Sequence, residues 1–179
     1  ISDAVVCVSS QGVSGVQTPK AAFAPDNIRQ LYGLSEEQYE AVFGRPKPAT
    51  PKFEHFIRSG QTLLRCGYTT GTCAALGAAG AARLLLTGTE PESVALRTPK
   101  GIVVEVAPLF CRKTESGAEC AIEKDGGDDV DVTTGLPVIA AVELLPDTAE
   151  IQIRGGKGVG RVTKPGLDQP VGEAAINHV

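Results

Sequence analysis

The sequence predicts an α+β domain in which one helix of small residues lies on a largely antiparallel or mixed sheet. Three observations predict it. A run built almost wholly from Ala, Gly and Leu, about Cys73 to Leu86, is flanked by residues that start and stop helices. Short β-branched segments follow it at close intervals. No second long helix separates those segments, so the regular βαβ alternation of a doubly wound sheet is missing.

Val5 to Val8 is a β-branched run that reads as a strand. "APDNIRQLYGLSEEQYEAVFG" then reads as two short helices broken at Gly33. Ser35 with Gln38 has the form of a capping box, and Gly44 stands where a helix would end. Pro46, Pro48 and Pro51 make Arg45 to Lys52 a linker. Residues 1–52 are therefore expected as a helical extension with a Pro-rich linker, and 53–179 as the α+β domain. The extension reads equally as a separate small unit or as helices packed on that domain. Thr70 or Thr72 can cap the small-residue helix, and Gly88 can close it. "SVALRTPKGIVVEV" reads as a β-hairpin with Pro99 and Gly101 at its turn. Further strands are expected at Glu119 to Glu123, Val138 to Leu144 and Ile151 to Arg154.

With 179 residues the chain can bury one good core. Its 17 basic and 21 acidic side chains leave a net charge of −4, which argues against a nucleic-acid partner. The apolar run from Cys73 stops at Arg83, too short for the roughly 20 residues of a membrane span. No secretory signal is visible. The five cysteines are odd in number and include no C-x-x-C pair. They read as reduced thiols of a cytoplasmic protein, with no disulfide framework and no metal site. The chain opens at Ile1 and holds no methionine, which reads as a fragment.

Three stretches carry candidate chemistry. In "LRCGYTTGTCAALGAAGAARLLLTG", Gly77 and Gly80 share a helix face and imply that another element packs closely there. The loop before it, Gly67 to Thr72, presents backbone N–H groups and hydroxyls at a helix N-terminus, an end that attracts carboxylate or phosphate. Ordinary capping explains one Thr of that series. Cys73, in the first turn, could be a thiol of lowered pKa, but with no His nearby in sequence it reads rather as a buried structural thiol. In "EKDGGDDVDVTTG", Asp125, Asp128, Asp129 and Asp131 crowd a glycine-rich turn whose spacing does not fit a calcium loop. A solvated turn, Asx-type bonds that fold the loop, or a carboxylate of raised pKa acting as a base all stay open. In "IRGGKGVGRVTKPG", Arg154, Lys157, Arg161 and Lys164 gather among glycines with no acidic residue. That is a local anion site in an acidic chain, or else a solvated basic loop. It matches neither the P-loop nor the dinucleotide-loop spacing.

In order, "LRCGYTTGTCAA", "TPKG", "KDGGDDVDVTTG" and "GGKGVGRVTKPGLDQPVGEAAIN" closely resemble the cobalt-precorrin-5B C1-methyltransferase (CbiD) family. The resemblance runs from Leu64 to about Asn177, nearly two thirds of the chain. Ala174 and His178 depart from it, standing where members usually carry proline. Family members continue well beyond this chain's end. The resemblance implies a methyltransferase of cobalamin biosynthesis that moves a methyl group from S-adenosylmethionine to ring carbon C1 of a cobalt-containing tetrapyrrole, giving cobalt-precorrin-6A. Cobalt then arrives inside the substrate. The substrate's carboxylates are expected to meet Thr69, Thr70, Gly71, Thr72, Lys157, Arg161 and Lys164. Asp128 and Asp129 are the candidate catalytic carboxylates. A non-catalytic tetrapyrrole-binding fragment, with its donor site in missing C-terminal sequence, is the alternative. Residues Ile1 to Arg45 could instead dock on neighbouring pathway enzymes, and self-association is also open.

Overall fold

The computed structural model describes residues 3–10 (backbone only), 53–145, 151–156, 159–166 and 170–172. The two expected helices between Ala24 and Gly44, the Pro-rich linker and Lys157 lie outside them. Strand β1 is Asp3–Ser10, β2 is Phe56–Ser59 and β3 is Thr62–Arg65. Helix α1, Thr70–Thr87, follows. Strands β4 (Val94–Arg97), β5 (Val103–Val106), β6 (Phe110–Lys113), β7 (Gly117–Glu123), β8 (Pro137–Leu145) and β9 (Gln152–Gly155) complete the order.

The fold is α+β, as expected. Its main sheet has the order β6-β7-β8-β1-β9, antiparallel except for the parallel pair β1–β9. The strand read at Val5 to Val8 is thus an inner strand of that sheet. Two hairpins, β2–β3 and β4–β5, stand beside it.

Helix α1 begins three residues earlier than the sequence predicts, and its cap is Thr69, correcting the choice of Thr70 or Thr72. Thr69 has extended backbone, and its carbonyl accepts the first helical bond, from Cys73 N–H at 3.0 Å. Its hydroxyl accepts from Thr72 N–H at 3.1 Å, the geometry of an N-cap. At the other end Gly88, at φ 74°, donates to the Leu84 carbonyl at 2.8 Å.

The helix buries Cys73, Leu76, Gly77, Gly80 and Leu84 on the sheet. Ala118, Cys120 and Ile122 of β7 and Val138 and Val142 of β8 form the facing core by strand alternation. On the opposite sheet face Phe110, Ala121 and Ile139 make a second, smaller cluster. The two helix glycines do what their spacing predicts. A Cβ on Gly77 would lie 3.0 Å from the Cys120 carbonyl oxygen, and one on Gly80 would lie 2.6 Å from Cys120 Sγ.

The reading of five reduced thiols is corrected here. Cys111 and Cys120 stand directly opposite in the β6–β7 ladder, with Cα atoms 4.1 Å apart, and are joined as a disulfide. Side chains directly opposite on an antiparallel pair meet closely, a proximity that sequence spacing does not reveal. Cys66 and Cys73 are free. Cys73 is buried, and burial pushes its thiol up to about 12, in keeping with a structural role.

Candidate functional site

The first two stretches singled out in the sequence fold into one unit. Cys66, just past β3, forms an isolated antiparallel bridge with Gly127. On either side of that bridge, Asp128 N–H donates to the Arg65 carbonyl and Tyr68 N–H to the Asp125 carbonyl, both at 2.9 Å. The glycines make this seam possible. A Cβ on Gly67 would lie 2.3 Å from the Asp125 carbonyl oxygen, and one on Gly127 would lie 2.3 Å from that of Arg65. Backbone fills the space beside them, so these two glycines serve the seam.

The four aspartates divide by partner. Asp125 takes a bidentate pair from the Arg65 guanidinium at 2.6 and 2.9 Å and also accepts Gly127 N–H at 2.8 Å. Those hydrogen bonds, Arg65 foremost, hold its carboxyl below the usual range despite partial burial. Asp131 receives Lys124 Nζ at 2.9 Å, with Thr133 N–H at 2.8 Å and the Thr133 hydroxyl at 2.6 Å. Lys124, first, and then Thr133 hold its carboxyl well below the carboxylate range. Asp128 accepts the Arg65 backbone N–H at 2.7 Å, and both Asp128 and Asp129 are exposed. The Asx-type folding of the loop, one of the readings left open, is therefore the work of Asp125 and Asp131.

A cavity of about 450 Å³ opens at the seam. Ile57, Leu64 and Arg65 of the β2–β3 hairpin wall one side, and the helix-entry loop Cys66 to Thr69 forms the next. Lys124, Gly126, Asp128, Asp129 and Asp131 complete it. Tyr68 is tied by its hydroxyl to the Glu123 carbonyl at 2.9 Å, and its ring meets Phe53 edge-on. Burial pushes the Tyr68 phenol above its ordinary value, so it stays protonated at neutral pH.

Of the residues the sequence nominates, Thr69, Asp128 and Asp129 line this cavity. Thr70 is exposed, while Gly71 and Thr72 are half-buried in the first helical turn. Thr69 and Thr72 share a hydroxyl contact at 3.1 Å. Arg161 donates to the Gly172 carbonyl at 2.9 Å beside the buried Val162, and Lys164 is exposed; neither lines the cavity. Sequence reasoning missed Arg65 and Lys124. Both sit inside the quoted stretches, Arg65 one residue before Cys66 and Lys124 one before Asp125; only Lys124 carried a signal, a lone cation beside an acidic run. Among the described residues no group of three or more His, Cys, Asp or Glu is placed to hold a metal, and no helix is long and apolar enough to cross a membrane.

This cavity, lined by both polar and apolar side chains, lies where a capped helix meets an acidic loop of an α+β domain. More particularly, the chain belongs to the CbiD family, whose model matches residues 57–179. It is 47% identical over 126 residues to a cobalt-precorrin-5B C(1)-methyltransferase of Ruminiclostridium cellulolyticum, covering 70% of this chain and 32% of that one. It is 49% identical over 116 residues to the enzyme of that name from Pseudomonas fluorescens, covering 65% and 32%. With the Treponema denticola enzyme it shares 46% over 133 residues, covering 72% and 36%. The chain thus spans about a third of the length of these curated relatives. No solved structure matches it.

Proposed function

We propose that the chain is part of a cobalt-precorrin-5B C1-methyltransferase, which methylates ring carbon C1 of the cobalt-containing tetrapyrrole to give cobalt-precorrin-6A in the cytoplasm. The observation that carries this reading is the match to enzymes of that name, at 46–49% identity, with a family model that spans the residues lining the cavity. When bound, S-adenosylmethionine supplies an electrophilic methyl group on a positively charged sulfur. The chain's part is to place acceptor and donor in line, which for methyl transfer contributes most of the acceleration.

The residues present fit such a donor, because Asp128 and Asp129 offer exposed carboxylates at the cavity. In this reading one of them holds the sulfonium's charge or takes a proton from the reacting centre. The substrate's acetate and propionate groups meet Lys157, Arg161 and Lys164 together with the hydroxyls and N–H groups of Thr69 to Thr72.

Single-turnover methyl transfer by the full-length enzyme tests it. Asp128→Asn or Asp129→Asn is expected to slow the chemical step while tetrapyrrole affinity holds. Arg161→Ala is expected to raise the tetrapyrrole dissociation constant, by a margin that added salt shrinks. Normal turnover by both Asn variants would leave the acidic loop as a folding device only.

A further inference from the structure

Two exposed carboxylates line the cavity, and the fold treats them differently. Asp128 Oδ2 accepts the Arg65 backbone N–H at 2.7 Å, and Asp128 N–H donates to the Arg65 carbonyl at 2.9 Å. These two bonds join the same two residues across 63 positions of sequence, and they fix the loop backbone and the side chain together. A carboxylate that follows Gly126 and Gly127 would otherwise move with a permissive backbone and exchange rotamers. The Asp129 carboxylate has no such tether: among the described residues nothing bonds it.

The Arg65 side chain holds the same loop from behind. Its two Nη atoms donate to Asp125 at 2.6 and 2.9 Å, and Nη1 also reaches the Phe53 carbonyl at 3.3 Å. Asp125 Oδ1 in turn accepts Gly127 N–H at 2.8 Å, one residue before Asp128. Arg65, Asp128 and Asp129 line the cavity, whereas Asp125 does not. The guanidinium thus secures the hidden side of the loop, and the Arg65 backbone secures its open side. The Asp125 hydrogen bonds, first, and the Asp128 charge also raise the Arg65 pKa, so one cation attracts both carboxylates. A lysine here would keep the charge and lose the two parallel bonds.

We propose that Arg65 is a positioning residue for the methyl transfer: it holds the Asp128 carboxylate in one orientation at the cavity, which makes Asp128, rather than Asp129, the principal acting carboxylate. Arg65 itself touches neither reactant and works through the loop. Such aim matters, because a misplacement of about 1 Å can cost on the order of a hundredfold in rate. This role rests on the methyltransferase reading for what a carboxylate does there. It goes further in choosing between the two carboxylates and in naming what aims the chosen one.

Single-turnover methyl transfer to cobalt-precorrin by the full-length enzyme tests it, at a temperature where every variant is folded. Asp128→Asn is expected to slow the chemical step about tenfold more than Asp129→Asn does. Arg65→Met should slow that step by about tenfold to a hundredfold while the tetrapyrrole dissociation constant holds, and Arg65→Lys should recover part of the loss. The double variant decides the matter. Added to Asp128→Asn, Arg65→Met should slow the reaction no further, because its effect runs through that carboxylate. An Arg65 that only stabilises the fold would give the same fractional loss in both backgrounds. That result, or an Asp129→Asn enzyme as slow as Asp128→Asn, overturns the positioning role and leaves the methyltransferase reading intact. If Arg65→Met fails to fold, Arg65→Lys takes its place in the same cycle. Unaltered full-length enzyme that does not methylate cobalt-precorrin would overturn the reading and the role together.

Discussion

The helix–sheet contact and the seam between the helix-entry loop and the acidic loop both depend on glycine, for different reasons. Under α1 the glycines admit side chains and strands of a dry core: Cys120, Val94 and Ala140 crowd Gly77 and Gly80. At the seam the glycines admit backbone, because Gly67 and Gly127 each abut a carbonyl of the other segment. At Gly80 a new side chain meets side-chain atoms of Cys120, Val94 and Cys111, whereas at the seam it can be admitted only by breaking hydrogen bonds between loops. A glycine-rich stretch in sequence therefore marks close approach without saying what approaches.

That difference sets the largest expected effect. Gly67→Ala places a methyl group where the Asp125 carbonyl stands, and should cost about 3 kcal/mol or more in denaturant unfolding. Gly80→Leu overpacks the core against Cys120 and should cost about 1–3 kcal/mol. If Gly67→Ala proves milder than Gly80→Leu, the seam is more compliant than the core and the contrast fails.

Acid should separate the two regions next. The Asp125–Arg65 and Asp131–Lys124 pairs belong to the seam, and both carboxyls are held below their ordinary values. The unfolded chain therefore takes up these protons first as pH falls. The stability they supply is complete above the unfolded value of about 4 and is lost from there toward the depressed folded values. Asp131→Asn should lower the unfolding midpoint at pH 7, and the gap to the unaltered protein should narrow as pH drops below about 4. The gap for Gly80→Leu should stay constant across the same range. Parallel pH profiles for the two variants would show that the seam's ion pairs contribute nothing.

Much of the fold was legible in the sequence because the elements are local. The helix, its glycine stop, the β4–β5 hairpin and strands β7 to β9 follow from composition and turn residues within a short window. The β2–β3 hairpin escaped notice because its apolar residues remain exposed on both faces, so "FIRSGQTLLR" lacks the polar side that marks a half-buried strand. Strand β6, "FCRK", is too short to show alternation. The candidate site was legible as separate stretches but not as one unit. Nothing local to Gly67 announces that Asp125 lies against it 58 positions later, nor that Cys111 faces Cys120. Arg65 and Lys124 were hidden for the same reason: their importance is conferred by partners that only the fold brings near.

The smallest expected effect concerns the end of the helix where the two regions join. Of the three hydroxyls between Thr69 and Thr72, those of Thr69 and Thr72 contact each other within the fold. Thr69 accepts Thr72 N–H at 3.1 Å, while Thr70 is exposed in the first helical turn. Thr69→Ala should therefore cost about 1 kcal/mol, the ordinary loss of a cap. Thr70→Ala should change stability by less than about 0.5 kcal/mol. Ligand titrations then divide them the other way. A hydroxyl left free by the fold is the one available to a substrate carboxylate, so Thr70→Ala should weaken tetrapyrrole binding without touching the melting curve. If Thr70→Ala is silent in both measurements, the threonine series serves the cap alone, and the helix entry contributes to the site only through its backbone.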